Sequence, residues 1–423
     1  MGLIAALVGG CVAGTPSTAP LASPGAPSRS EAPSDTQIDT PSASPSASPS
    51  DTPFALPSVS PTLTPATPIP TPAPTCALQT LASMSEAQRI GQLFMVGLTD
   101  DRLDASESDA IAAFHFGSVL FTKRTAVGVA AVRAVFDAVQ AKATQSATHG
   151  VAFFIAANQE GGLVQALSGP GFDVMPSALS QGAMSPAQLQ VMAARWGREL
   201  SGAGINLDLA PVADVVPPGT DAQNAPIGRL DREFGHDPAT VASHVAAFIA
   251  GMRAGGVGTT AKHFPGLGRV AGNTDYSSAV IDSVTTRNDS DLQPFSRAVA
   301  ARVPFVMISL ATYELIDPDH LAVFSNTVIN GILRGDLGFR GVVISDSLAA
   351  TAVASMSPGT RAIDFLDAGG DMIVLNPVDQ AIAMAQAISS FASTRAWFRA
   401  RVDNAVWHVL RAKEAAGLLD CGN

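Results

Sequence analysis

The chain has 423 residues, 47% of them hydrophobic, which is enough for one large domain or two modest ones. A formal net charge of -11 argues against a nucleic-acid partner. No His or Cys sits at the spacing of a zinc site, and neither a metal nor a cofactor is implied.

In chain order, Met1 to Gly10 are almost wholly apolar but too few to span a bilayer. The run ends in Leu7-Val8-Gly9-Gly10-Cys11, which resembles the lipobox of bacterial lipoproteins, whose cysteine is lipidated after cleavage. The resemblance implies a signal segment over residues 1–11, lipidation at Cys11, and an exported chain anchored to the outer face of the bacterial cell membrane. The usual positively charged start is missing, so a stray hydrophobic N-terminus is the alternative. Residues 12–75 hold sixteen of the thirty prolines, interleaved with Ser, Thr and Ala. Such a composition cannot bury enough surface to offset chain entropy, and it predicts a disordered linker. Extended at about 3.1 Å per residue, the linker would reach on the order of 100–200 Å, far enough to hold a domain out in a cell wall. The folded part is expected over residues 76–423. Cys76 opens it and Cys421 closes it, and the oxidising surroundings of an exported chain predict a disulfide between them, with two free cysteines as the alternative.

From Leu78 onward, short β-type runs alternate with longer Ala-rich amphipathic runs. The β-type runs are 92–98, 117–122, 151–158, 205–215, 257–264, 305–313, 341–348 and 372–377. Helical candidates between them include 126–143, 186–202, 238–255, 291–301 and 359–368, and glycine pairs such as Gly255-Gly256 and Gly369-Gly370 stop two of them. Eight strands separated by helices predict an α/β fold, a single (β/α)8 barrel of the TIM type. A doubly wound open sheet is the rival, but no Gly-x-Gly-x-x-Gly opens a helix after the first strand.

Chemistry in such a barrel lies at the C-terminal ends of its strands. The third run ends in Asn158-Gln159-Glu160-Gly161-Gly162, the fourth in Pro211-Val212-Ala213-Asp214, the fifth in Lys262-His263, and the seventh in Ser345-Asp346-Ser347. Charge there has a desolvation cost that usually marks a site. Asp346 reads in two ways: a carboxylate at the barrel mouth able to attack a carbon, or the N-cap of a following helix. His263 reads either as a substrate ligand or as a core histidine bonded to a carbonyl.

The segment from Ile332 to Ala349 resembles the active-site signature of family-3 glycoside hydrolases. The resemblance spans about residues 78–418 and includes Asn158-Gln159-Glu160-Gly161-Gly162, Ala210-Pro211-Val212-Ala213-Asp214-Val215, Arg232-Glu233-Phe234-Gly235-His236-Asp237-Pro238 and Lys262-His263-Phe264-Pro265-Gly266. It implies a retaining mechanism with Asp346 as nucleophile and a covalent glycosyl-enzyme intermediate. It also implies that Arg232, Lys262 and His263 grip hydroxyls of the sugar, and Asn158 and Asp214 are read with them as substrate-binding residues. The branch it resembles is the single-domain bacterial β-N-acetylglucosaminidases, which trim cell-wall amino sugars.

Three departures from that branch stand out. Asn158 replaces an Asp, and Leu163 and Ala166 stand where arginines are common. The loop after Lys262 normally carries an Asp-Ser/Thr-His dyad whose histidine is the general acid/base. Here it reads Asn273-Thr274-Asp275-Tyr276-Ser277-Ser278, with Ser277 in the place of the histidine. Without a proton donor, cleavage of a poor leaving group would slow by about 10²–10⁴-fold. Asp275 is the candidate acid/base, if burial against Tyr276 raises its pKa. His320, reaching in from the loop after the sixth strand, is another, and a domain that binds sugar without cleaving it is a third. The sequence therefore predicts a monomeric retaining glycosidase for terminal β-linked N-acetylhexosamine, with a carbohydrate substrate and a membrane anchor. A weakly active or inactive wall-binding lipoprotein and a β-glucosidase are the alternatives.

Overall fold

Eight short runs, most of them rich in β-branched and aromatic residues, form parallel strands: β1 (Phe94–Leu98), β2 (Ser118–Phe121), β3 (Phe154–Ala157), β4 (Leu207–Asp208), β5 (Gly258–Phe264), β6 (Phe305–Ile308), β7 (Val342–Ser345) and β8 (Ile373–Leu375). The computed structural model describes residues 75–420. Cys11, Cys421 and nearly all of the expected linker lie outside the described residues, whereas Cys76 is disulfide-bonded. Each strand from β1 to β6 pairs in parallel with the next, and β8 pairs with β1. A bridge between Ile344 and Met372, with Ser345 N donating to Met372 O at 2.9 Å, joins β7 to β8 and closes the ring. The expected (β/α)8 barrel is the fold, and all eight strands fall inside the runs read from sequence. The fourth is much shorter than its run, because Pro211 has no N–H for the ladder. Pairing resumes only at the Val212–Lys262 bridge.

Alternation along the strands sorts their residues into two apolar clusters. Met95, Leu120, Phe154, Leu207, Met307 and Ile344 fill the barrel. Their neighbours Phe94, Val96, Val119, Ile155, Val306 and Val343 belong to the larger cluster shared with the helices. The helices begin where the sequence supplies caps. Ser185 and Gln188 form a reciprocal capping box ahead of Pro186–Gly202, and Asp237 accepts from Thr240 N at 2.9 Å ahead of Pro238–Ala254. The latter helix buries Val241, Val245, Phe248, Ile249 and Met252 at helical spacing. Truncating one such residue, as in Phe248→Ala, is expected to cost about 3–5 kcal/mol.

The two mouths of the barrel differ. At the N-terminal mouth the helix Ala396–Ala415 places Val409 in the inner cluster. Lys413 Nζ, fully buried, donates to Gln92 Oε1 and Gly117 O, both at 2.7 Å. Burial holds its pKa well below the usual lysine range. That mouth is plugged, which leaves the C-terminal mouth for chemistry.

Candidate active site

Glu160 is the hub of the open mouth. It sits on a hairpin after β3 whose strands are Gln159–Gly161 and Val164–Gln165. Gly161 makes the hairpin possible: its φ is +102°, and a Cβ there would lie 2.2 Å from Pro176 O. Gln159 ties the hairpin down by donating to Leu167 O at 2.8 Å and accepting from Leu167 N at 3.0 Å. The Glu160 carboxylate then accepts from Arg232 Nε and Nη2 at 2.7 and 2.8 Å and meets Lys262 Nζ at 2.6 Å. Burial opposes its charge, but Arg232 and then Lys262 more than offset that and hold its pKa at about 2. Lys262 also donates to Asn158 Oδ1 at 2.8 Å. Replacement of Asp by Asn158 therefore leaves the lysine fully paired, its counter-charge coming from Glu160.

Asp214 organises the neighbouring strand end. Its Oδ1 accepts from His263 N at 3.1 Å and Leu267 N at 2.7 Å, and its Oδ2 lies 2.8 Å from His263 Nδ1. With Nδ1–H engaged, Nε2 is the ring atom left for a ligand. Asp214 is fully buried with both oxygens occupied. This corrects its expected role, since it orients His263 rather than touching substrate. The reading of His263 as a core histidine bonded to a carbonyl also fails, because its partner is a carboxylate. Tyr313 OH donates to Gly266 O at 2.7 Å and fixes the turn that follows. Gly268 brings this loop against the segment after β4, since a Cβ there would lie 1.7 Å from Val215 O.

Asp346 ends β7 half-buried, its N donating to Ile308 O at 3.0 Å. Its Oδ1 accepts from Ser347 N at 2.8 Å. The next α-helix begins only at Pro358, so the helix-cap reading of Asp346 fails. Asp346 shares one electrostatic neighbourhood with Arg232 and Asp275.

Asp275 is carried by a loop fastened to the segment after β7. Thr351 Oγ1 donates to Asp275 O at 2.7 Å, Ala352 N donates to Thr274 O at 3.1 Å, and Asp275 N donates to Asn273 Oδ1 at 2.9 Å. One side of Asp275 faces solvent, yet the surrounding loop strips enough hydration to raise its pKa, and Asp346 raises it further. His263, Arg232 and Lys262 pull the other way. Tyr276 takes no part in that burial: it is 82% exposed, contrary to expectation. His320 is exposed and pairs with Asp317 at 3.0 Å, so its known bond ties it to an outer strand rather than to Asp346.

Asp208 went unread as a site residue. It is fully buried, accepts from Gln159 N at 2.9 Å through Oδ1, and its Oδ2 has no partner among the described residues. Burial pushes its pKa well above the usual carboxylate range, and the nearby Glu160 charge adds to that while Lys262 opposes it. The signal was a lone acid between Leu207 and Leu209 in an apolar strand.

A closed (β/α)8 barrel with paired carboxylates and cations at its C-terminal mouth is the framework of a carbohydrate-cleaving enzyme. Residues 86–412 match the family described as the glycosyl hydrolase family 3 N terminal domain, and the chain belongs to that family of glycoside hydrolases. It is 33% identical over 311 residues to a beta-hexosaminidase of Stenotrophomonas maltophilia, covering 70% of this chain and 87% of that protein. Among solved structures it resembles a beta-N-acetylhexosaminidase of Beutenbergia cavernae, at 48% identity and a TM-score of 0.78, over 79% of this chain and 99% of that one. It also resembles a family 3 beta-N-acetylglucosaminidase of a Paenibacillus species, at 26% identity and a TM-score of 0.71, over 81% of this chain and 66% of that one.

Proposed function

We propose that the chain is a retaining β-N-acetylhexosaminidase in which Asp346 is the nucleophile and Asp275 the general acid/base. In the first step an Asp346 oxygen bonds to the anomeric carbon as the bond to the leaving oxygen breaks, and protonated Asp275 gives its proton to that oxygen. In the second, Asp275 takes a proton from water, the water oxygen bonds to the anomeric carbon, and the bond to Asp346 breaks. Arg232, Lys262 and His263 Nε2 hold sugar hydroxyls, and Glu160 and Asp214 keep those donors in place. The observation that carries this reading is the fastening of the Asp275 loop to Thr351 and Ala352. It brings a carboxyl of raised pKa into the field of Asp346. The names of the relatives support the amino-sugar substrate.

A panel of aryl β-glycosides tests the proposal. Turnover of the N-acetylglucosaminide well above the glucoside, abolished by Asp346→Asn, is the expected result. Preference for the glucoside would overturn the amino-sugar assignment. Unchanged turnover in the Asp346 variant would overturn the nucleophile.

We propose further that the enzyme is exported and tethered through a lipid at Cys11, with a Cys76–Cys421 disulfide tying the ends of the barrel domain. The disulfide at Cys76 supports an oxidising location. Cys11→Ala is expected to move the protein from the membrane fraction to the medium, and retention in the membrane would contradict the anchor.

A further inference from the structure

A second cluster lies one residue away from Arg232. Asp221, in the loop after β4, meets Glu233 and His236, which follow Arg232 and precede the helix Pro238–Ala254. One ligand atom from each lies within 4.8 Å of the other two. His236 Nδ1 is 3.6 Å from Asp221 Oδ1 and 3.2 Å from Val216 O. Asp221 packs its backbone against Gly228, where a Cβ would lie 2.7 Å from its Cα.

Glu233 makes the cluster unusual. It is fully buried, and neither carboxylate oxygen has a hydrogen-bond partner among the described residues. Asp221 Oδ1 is likewise buried with no hydrogen bond. A carboxylate in that position has a large desolvation cost unless a counter-charge meets it. The adjacent guanidinium of Arg232 cannot serve, because both its bonds toward acid go to Glu160. A proton shared between Glu233 and Asp221 would satisfy one oxygen of Glu233 and leave the other without a partner. A divalent cation would satisfy both oxygens together with Asp221 and the imidazole.

We propose that Asp221, Glu233 and His236 bind one divalent transition-metal cation of the zinc type, which positions Arg232 by clamping the loop that carries it. One imidazole and two carboxylates suit zinc, whereas calcium and magnesium prefer sites made wholly of oxygen. Three protein ligands leave a position for water, and the half-exposed Asp221 and His236 give the ion a path in. The spacing of His and Cys concealed this site, because its donors come from two separate segments and two of the three are acids.

Calorimetric titration of the full chain, freed of metal by chelator, with zinc chloride tests the proposal, and magnesium and calcium chloride serve as comparison arms. One zinc per chain is expected, at least tenfold tighter than magnesium or calcium. Anomalous scattering should place the ion between the three side chains. His236→Ala, at a half-exposed position, should weaken zinc at least tenfold while the fold is retained by circular dichroism. Removal of the ion should raise KM for the aryl glycoside several-fold with a smaller change in kcat, as expected of a positioning role. The binding arm stands whatever the sugar specificity proves to be. Absence of binding at 100-fold excess zinc, binding that His236→Ala and Asp221→Asn leave unchanged, or an anomalous peak elsewhere would each overturn the proposal.

Discussion

The two sides of the barrel mouth are built on opposite plans. On one side Arg232, Lys262, Glu160, His263 and Asp214 are buried or nearly so, and each charge meets a partner within 2.8 Å. On the other, Asp275 rides a loop at the rim, exposed in part and held through backbone contacts rather than through its carboxyl. The difference fits the division of labour in the proposed mechanism. A preorganised set of donors can grip a sugar without moving, whereas a proton donor that serves twice must reach both the leaving oxygen and water.

The sharpest break in that division is loss of the proposed nucleophile. Asp346→Asn is expected to lower kcat by about 10⁴-fold or more on every substrate, as measured by initial rates. Asp275→Asn should split substrates instead. On a natural disaccharide kcat should fall by about 10²–10⁴-fold, and on an aryl glycoside with a good leaving group formation of the intermediate should slow far less. Equal losses on both would place Asp275 outside the proton transfer.

The buried side should show itself in stability. Glu160→Gln leaves two buried cations without their counter-charge and is expected to cost about 3–5 kcal/mol in urea unfolding. The pH dependence follows from the same carboxylate. Its folded pKa of about 2 lies below its ordinary 4.5, so its contribution is present above pH 4.5 and is lost as pH falls toward 2. That contribution amounts to about 3 kcal/mol, and the slope should be missing from Glu160→Gln. Asp275 has the opposite sign. Its raised pKa keeps the acid form to higher pH, so kcat/KM on poor leaving groups should decline as pH rises through a value above the usual aspartate range. The smallest effect is expected from Thr351→Val, which removes one hydrogen bond to the Asp275 backbone. A change of about 1 kcal/mol would lower kcat roughly fivefold with KM little altered.

Much of the gripping side was legible in the sequence, because charge at the end of an apolar strand has few structural explanations. Lys262, His263 and Asp346 stand out on that ground, Arg232 came through the resemblance alone, and all four converge on the open mouth. Glu160 and Asp208 were harder. Their weight comes from groups distant in sequence, Arg232 and Lys262 as partners of Glu160 and the unpaired, buried Oδ2 of Asp208, and a one-dimensional pattern does not carry such pairings. Asp214 was placed in the right region with the wrong task, since sequence cannot tell a residue that touches substrate from one that holds its neighbour. Tyr276 shows the same limit. Its position beside Asp275 suggested cover, but the side chain lies in solvent. The barrel itself was plain from eight alternations, and only Pro211 shortened a strand.

Azide rescue of Asp275→Ala tests the central assignment most directly. With an activated aryl N-acetylglucosaminide the variant should accumulate the glycosyl-enzyme, and added azide should restore turnover and yield the β-glycosyl azide. Azide needs no proton removed, so it bypasses the missing base while Asp346 still leaves with retention. A variant whose rate azide does not change, with water still the sole acceptor and the pH profile of the parent, would contradict Asp275 as the acid/base.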